Sequence, residues 1–500
     1  MTCSSCGVEN RDRAKFCLGC GQGLAPVCSG CGAALPPTAR FCDQCGTALQ
    51  VSGSAARASS GDTEPVQAQT VLRALPRAPL AAPPEHGLTA LVGRQTEVAA
   101  LETLFTHARA DRARLNGALG DALVWAHEFD AALAAAQEAA VVADSCGEEK
   151  VTGEANLTRG FVAMCRGQLE TAAGHFDAAA RSGQATQNLL LQRKAQLYHA
   201  LRANWRGEYR DAIEEYEALL PSLRSANELL TLAEGYSHLA IALGGAGEYA
   251  RVLDVLSDGI TLTRSIGDKV WRARLWNTRG WILGELGAYE AANEANRRCL
   301  EVMKELGSMR FASEFVGNAT INLADAALWQ GDLPGTEPHL AAVAAILADR
   351  RNEWMTWRYG MHYDLTAAEF WITRRDLGRA RRHIENALAV AQRTRSRRYV
   401  VRATRLFAAC HVAAGALVEG ERLLAEVVSQ AGKLTNAAQL WHALLAHGRV
   451  LQALGRGDEA GIEARKGLEA VNRVASTLTP ELQAAFRGST VYTGLEELAH

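Results

Sequence analysis

Between residues 127 and 457 the same short turn returns at a nearly fixed interval, which restricts this part of the chain to a stack of helix pairs. His127-Glu128-Phe129, Gly167-Gln168-Leu169, Gly207-Glu208-Tyr209, Gly247-Glu248-Tyr249 and Gly287-Ala288-Tyr289 follow one another at 40 residues. Two steps of 44 lead to Gly331-Asp332-Leu333 and Arg375-Asp376-Leu377, and steps of 40 lead on to Gly415-Ala416-Leu417 and Gly455-Arg456-Gly457. Seven residues before each turn stands a small residue: Gly120, Gly160, Ala200, Ala240, Gly280, Ala324, Ala368, Ala408 and Gly448. Five residues after the turn begins another recurs: Ala132, Ala172, Ala212, Val252, Ala292, Thr336, Ala380, Gly420 and Ala460. Small side chains at both places let two helices approach closely, while apolar neighbours such as Leu123, Leu243, Leu283 and Leu451 fill the layer between them. One hairpin cannot bury its own apolar face, and stacking does so. The spacing predicts about nine hairpins in an all-α solenoid, closed by a helix that starts at Thr479-Pro480.

The register of small, turn and small positions resembles the tetratricopeptide repeat in a longer, 40-residue form, over about residues 113 to 475. Trp276-x3-Gly280 and Gly287-x-Tyr289 lie nearest its consensus. Later units depart from it: Arg375 replaces the turn glycine, and Pro334 and Pro338 are expected to interrupt the second helix of the sixth unit. The resemblance implies a superhelix with a concave groove lined by the first helix of each unit. In that register Arg274, Asn277, Trp281, Asn318 and Trp329 of units five and six, and Glu369, Arg402 and Arg405 of units seven and eight, point into the groove. Trp and Arg together in a concavity are the usual anchors of a bound peptide. Trp271, Trp276, Trp354, Trp357 and Trp371 lie nearby, so packing into the core is the competing role for tryptophan.

The other end of the chain is governed by cysteine. Eight of twelve fall within the first 45 residues as four Cys-x2-Cys-Gly knuckles: Cys3/Cys6, Cys17/Cys20, Cys28/Cys31 and Cys42/Cys45. Each half has the spacing C-x2-C-x10-C-x2-C, and the second half repeats the first 25 residues later. Two thiolates separated by two residues grip one Zn2+, and a second pair completes a tetrahedral site. The reading is two structural zinc ions, with no position left for water or substrate. A disulfide framework is the alternative, but the polar start Met-Thr-Cys-Ser-Ser carries no signal peptide, which predicts a reducing cytoplasm. Cys146, Cys165, Cys299 and Cys410 sit on apolar helical stretches and read as small core residues.

Between these ends the composition divides the chain into a double zinc ribbon (1–48), a linker (49–86) whose Ser, Ala, Gly and Pro predict disorder, a junction (87–112), the repeats (113–475), and a capping helix with tail (476–500). The junction contains Leu91-Val92-Gly93-Arg94 followed by Glu97 and Leu101, which resembles the entry to a signal-transduction ATPase domain. The knuckles resemble those of bacterial proteins ordered as double zinc ribbon, class III adenylate/guanylate cyclase, STAND-type ATPase and tetratricopeptide array. Membership in that family would imply nucleotide chemistry, but this sequence lacks what that chemistry needs. No G-x4-G-K-[ST] loop occurs; the nearest string, Gly432-Lys433-Leu434-Thr435, lacks the upstream glycine and the adjacent hydroxyl. About 20 residues separate Arg94 from the first repeat helix, too few for a nucleotide domain. The linker holds a single aspartate, Asp62, where a cyclase core needs two that bind metal. The resemblance therefore implies a member without its cyclase and ATPase cores, and the alternative for residues 87–112 is a helix that caps the solenoid.

A net charge of -2 gives no global attraction to nucleic acid or membrane, and no apolar run approaches the roughly 18 residues of a membrane span. Locally, residues 374 to 405 hold eleven arginines against Asp376 and Glu385. Such a stripe, with Arg395, Arg397 and Arg398 at its centre, reads either as an anion or nucleic-acid contact or as a solvated helix face. No histidine pairs with a second ligand at helical spacing, since His442 and His447 are five apart, and no nucleophile elbow or acid pair is present. The sequence thus reads as a non-enzymatic, cytoplasmic zinc-binding adaptor with a protein or peptide in its groove and a place in bacterial signalling. A nucleotide-dependent signalling enzyme and a nucleic-acid-binding regulator are the alternatives.

Overall fold

The computed structural model describes residues 8 and 9, 95–306, 312–434 and 436–500, with side chains of the first helix from Thr106 onward. The chain divides into two compact units, Met1–Thr89 and Ala90–His500, and the fold described below is that of the second. The eight knuckle cysteines, the linker and the Leu91–Arg94 segment lie outside the described residues.

Among the described residues nine antiparallel helix pairs follow one another: α1 (Gln95–Trp125) and α2 (Phe129–Cys146), α3 (Glu149–Cys165) and α4 (Leu169–Ala185), α5 (Leu189–Arg206) and α6 (Tyr209–Ser225), α7 (Leu229–Ala246) and α8 (Tyr249–Ser265), α9 (Val270–Glu285) and α10 (Tyr289–Glu305), α11 (Ala312–Trp329) and α12 (Leu333–Ala348), α13 (Arg358–Thr373) and α14 (Leu377–Arg393), α15 (Arg397–Ala413) and α16 (Leu417–Lys433), α17 (Ala437–Ala453) and α18 (Gly457–Ala475). Two short helices, α19 (Pro480–Arg487) and α20 (Thr490–Ala499), close the stack over α18 and α17. Every small residue of the two recurring positions is buried, from Gly120 and Ala132 to Gly448 and Ala460. A Cβ at Gly160 would strike the Phe176 ring, and one at Gly280 would strike the Asn296 amide. These glycines mark where paired helices touch backbone to side chain.

The turns explain the interval. The residue between paired helices adopts the left-handed region, as at Gly167 (φ 74°), Gly207 (φ 80°) and Gly247 (φ 80°). The next amide bonds back to a carbonyl in the last helical turn, as in Gln168 N to Ala163 O at 2.9 Å and Glu248 N to Leu243 O at 2.9 Å. This closure satisfies the orphan carbonyls of the first helix and turns the chain.

One local expectation changes. Pro334 and Pro338 do not interrupt the sixth unit, for α12 runs unbroken through both. Pro334 occupies the first turn, where no intrahelical donor is needed, and Asp332 caps that turn by accepting from Gly335 N at 2.9 Å. The second 44-residue step is accounted for by a 3-10 helix at Arg350–Met355, inserted between α12 and α13. At the other end α1 is one helix of 31 residues, so residues 95–112 continue directly into the first repeat helix.

The superhelix also touches itself. Trp357 Nε1 donates to the carbonyl of Cys165, 192 residues away, and Asn436 Nδ2 donates to the carbonyl of Gly245, 191 residues away. A Cβ on Gly287 would lie 2.9 Å from that of Ser489. The edge of the second, fourth and fifth hairpins thus meets the seventh, the ninth and α20.

Candidate interior binding site

The first helices of successive hairpins face inward, and between them lie contiguous cavities. One of about 140 Å³, the main cavity, receives side chains from α5, α7, α9, α11, α13 and α15, and a larger one of about 170 Å³ is lined by Trp329, Glu369, Arg405 and His442 among others. Of the groove residues expected from sequence, Arg274, Asn277, Trp281, Asn318 and Arg402 line it. Trp329, Glu369 and Arg405 line a smaller adjoining space together with Trp281 and Arg402. Another chamber, of about 70 Å³, shares Trp205, Ile241, Arg274, Trp357 and Arg358 with the main cavity.

Asparagines build one wall. Asn318 Nδ2 donates to Asn277 Oδ1 at 2.6 Å, and Asn322 Nδ2 donates to Asn296 Oδ1 at 3.1 Å and to the Asn277 carbonyl at 3.2 Å. Asn204 Nδ2 donates to the His238 carbonyl at 2.9 Å, while its Oδ1 is buried with no partner among the described residues. Amides that tie neighbouring first helices together at fixed distances make a rigid, polar surface.

Arginines build the other. Arg274, 8 % exposed, is paired with Glu314 and lies 4.5 Å above the Phe315 ring. Arg358 reaches the same Glu314 at 2.8 Å and stacks on Trp205 at 4.4 Å. Arg398 pairs with Glu285 at 2.9 Å and stacks on Trp281 at 4.6 Å. Arg402 is 3.4 Å from Asp325 and 3.5 Å from Glu369, and Arg405 is 3.8 Å from Glu369. Two guanidiniums therefore share Glu314 and two share Glu369.

The protonation states follow from this crowding. Burial works to raise Glu314, but Arg274 and Arg358 outweigh it and hold the carboxyl below its ordinary range. Asp325 is likewise buried, and His362 with Arg402 brings it down to about 2. Burial pushes Arg358 down to about 10, with Glu314 opposing and Arg274 reinforcing the shift. His442, buried beside Arg405 and Arg402, is lowered well below the ordinary imidazole value and stays neutral at pH 7.

The central arginines of the basic stripe separate. Arg398 joins the cavity wall, whereas Arg395 and Arg397 are exposed and lie 3.4 Å from Glu170 and 3.9 Å from Glu208. Residues that sequence reasoning misses are Trp205, Trp357, Arg358 and Tyr359. The available signal is the run Trp354-x2-Trp357-Arg358-Tyr359 at the 44-residue step, where the repeat register fails because a 3-10 helix has been inserted. Cys165, Cys299 and Cys410 are buried, and burial pushes the Cys299 thiol up to about 12, so it is no nucleophile at neutral pH. Among the described residues no group of His, Cys, Asp and Glu could hold a metal ion, and no helix is long and apolar enough to cross a membrane.

The double zinc ribbon family model matches residues 3–46, a span containing all eight knuckle cysteines. No curated protein matches the chain. Among solved structures, a Rap protein complexed with competence and sporulation factor is similar at 14% identity and TM-score 0.56, covering 74% of this chain and 100% of that one. A STAND protein with a tetratricopeptide repeat sensor from Pyrococcus horikoshii matches at 14% identity and TM-score 0.39, over 72% of this chain and 55% of that one. At this identity the Rap similarity shows a shared fold, the solenoid of helix pairs described above. The ribbon match implies zinc binding by residues 3–46, where the cysteine thiolates are donors that fit zinc.

Proposed function

We propose that the chain is a non-enzymatic adaptor that receives a protein or peptide ligand inside its solenoid. The observation that carries this reading is the make-up of the interior: of six successive first helices, all but α7 direct arginine, asparagine or tryptophan into one continuous space, where a purely structural core would bury aliphatic side chains. The Rap protein of similar fold is a complex with competence and sporulation factor, which supports ligand binding by such a solenoid. The test uses the full chain as bait. A partner captured by the native chain should be lost with Trp281→Ala and retained with Val418→Ala, an exposed position on α16. Equal capture by both variants would show that the interior does not receive it.

Two zinc ions would be held by Cys3, Cys6, Cys17 and Cys20, and by Cys28, Cys31, Cys42 and Cys45, as structural centres. The resemblance to the cyclase and STAND-type ATPase family is best read as kinship without chemistry, in bacterial signalling within the cytoplasm. The missing phosphate loop supports that reading, and ATP or GTP should undergo no turnover. The pairing of Arg395, Arg397 and Arg398 with Glu170, Glu208 and Glu285 gives nucleic acid no added support.

A further inference from the structure

The main cavity presents four guanidiniums, those of Arg274, Arg358, Arg398 and Arg402, and among the described residues no carboxylate lines it. The carboxylates that hold these arginines face other spaces: Glu314 the chamber beside Trp354, and Glu285, Asp325 and Glu369 the space beside Arg405. Each arginine is thereby oriented from behind. A guanidinium carries five N–H donors, and the acceptors present, three for Arg402 and two for Arg274 including Tyr359 Oη, do not exhaust them.

Charge is also left over. Arg274 and Arg358 share a single carboxylate, and burial loosens the Arg358 proton. Burying a cation without a full counter-charge is costly, and an anion entering the cavity would remove that cost.

The adjoining chamber has a different character. Trp125 meets Trp271 edge to face at 6.0 Å, and Trp205 meets Trp357 at 5.2 Å. Trp354 packs beside His127 at 4.4 Å. Of its two carboxylates, Glu314 is held by the arginines, whereas Glu234 lies 3.5 Å from His238 with its Oε1 buried and without a hydrogen-bond partner among the described residues. Ile241 stands where the two chambers join.

Resting on the adaptor reading above, we propose that the interior recognises an apolar carboxylate, with the anionic group among the four arginines and an aromatic or branched body among the tryptophans. Charge-assisted, bidentate bonds would orient the carboxylate, and the tryptophan faces would select the body. The same chemistry occurs in a free aromatic acid and in a chain that ends in an aromatic residue.

Calorimetric titration of the full chain decides the matter with four probes: 3-phenylpropionate, its neutral amide, and an acetylated tripeptide ending in phenylalanine with a free or an amidated terminus. The acid form of at least one pair should bind about tenfold or more tightly than its amide, as loss of a charge-assisted hydrogen bond predicts. Tighter binding of the free acid assigns the site to a small molecule, and tighter binding of the free-terminus peptide assigns it to a chain end. Ile241→Trp, which fills the junction without removing an ion-pair partner, should abolish binding of either. Equal affinity of acid and amide would overturn anion recognition while leaving the interior a binding site. Absence of binding by all four probes would overturn the proposal alone, because the adaptor reading stands or falls on partner capture by the Trp281→Ala variant.

Discussion

Arg375 stands where the repeat asks for glycine, and the structure holds it at φ 61°. A side chain in the left-handed region costs roughly 1 to 2 kcal/mol relative to glycine. Arg375→Gly is therefore expected to raise unfolding stability by about 1 kcal/mol, partly offset by loss of the 3.4 Å bond from Arg375 to the Ala413 carbonyl. Urea unfolding followed by circular dichroism measures it, and a loss of stability would show that the arginine acts beyond the turn. His442 makes a second prediction. Its folded value lies below its unfolded value, so above pH 6.5 neither state binds the proton and the residue contributes nothing. As pH falls through 6.5 the unfolded chain takes the proton and the folded chain does not, so stability declines. Denaturation at about pH 7.5 and about pH 5.5 should show that decline, and His442→Leu should reduce it.

At the scale of the helix pair, two glycines that look alike in sequence have opposite roles. Gly160 lies against Phe176, so Gly160→Ala should overpack the hairpin and cost roughly 1 to 3 kcal/mol. Gly174 in α4 has open space around it, so Gly174→Ala should add up to about 1 kcal/mol through helix propensity. The period makes the first legible, since every recurring small position is buried. It also makes the inward face legible, because a register of 40 assigns one direction to each residue of a first helix. What it cannot supply is the effect of the 44-residue steps. Trp357 and Arg358 face the cavity from the start of α13, after an inserted 3-10 helix that no repeat position describes. Pro334 departs from expectation for a related reason: as a capped first-turn residue it begins a helix, and only its place relative to Asp332 distinguishes that from a break.

The whole solenoid is held by contacts that no repeat pattern can pair, since they join residues more than 100 positions apart. Trp357 to the Cys165 carbonyl, Arg398 to Glu285 and Asn436 to the Gly245 carbonyl draw one turn of the superhelix onto the next. Asn436→Ala leaves the Gly245 carbonyl unmatched and should loosen that closure, at roughly 1 to 3 kcal/mol for a buried acceptor. The eight ribbon cysteines lie in the other unit, so a chelator that strips their zinc should leave helical circular dichroism nearly unchanged. A large helical loss on chelation would contradict that expectation. The central claim, that ligand is received inside the solenoid, is tested most directly by photo-crosslinking. A benzophenone amino acid replaces Ile241, at the junction of the interior chambers, or Glu301, exposed on the outer helix α10. A captured partner should crosslink to position 241 and not to position 301, and crosslinking at 301 alone would contradict reception inside the solenoid.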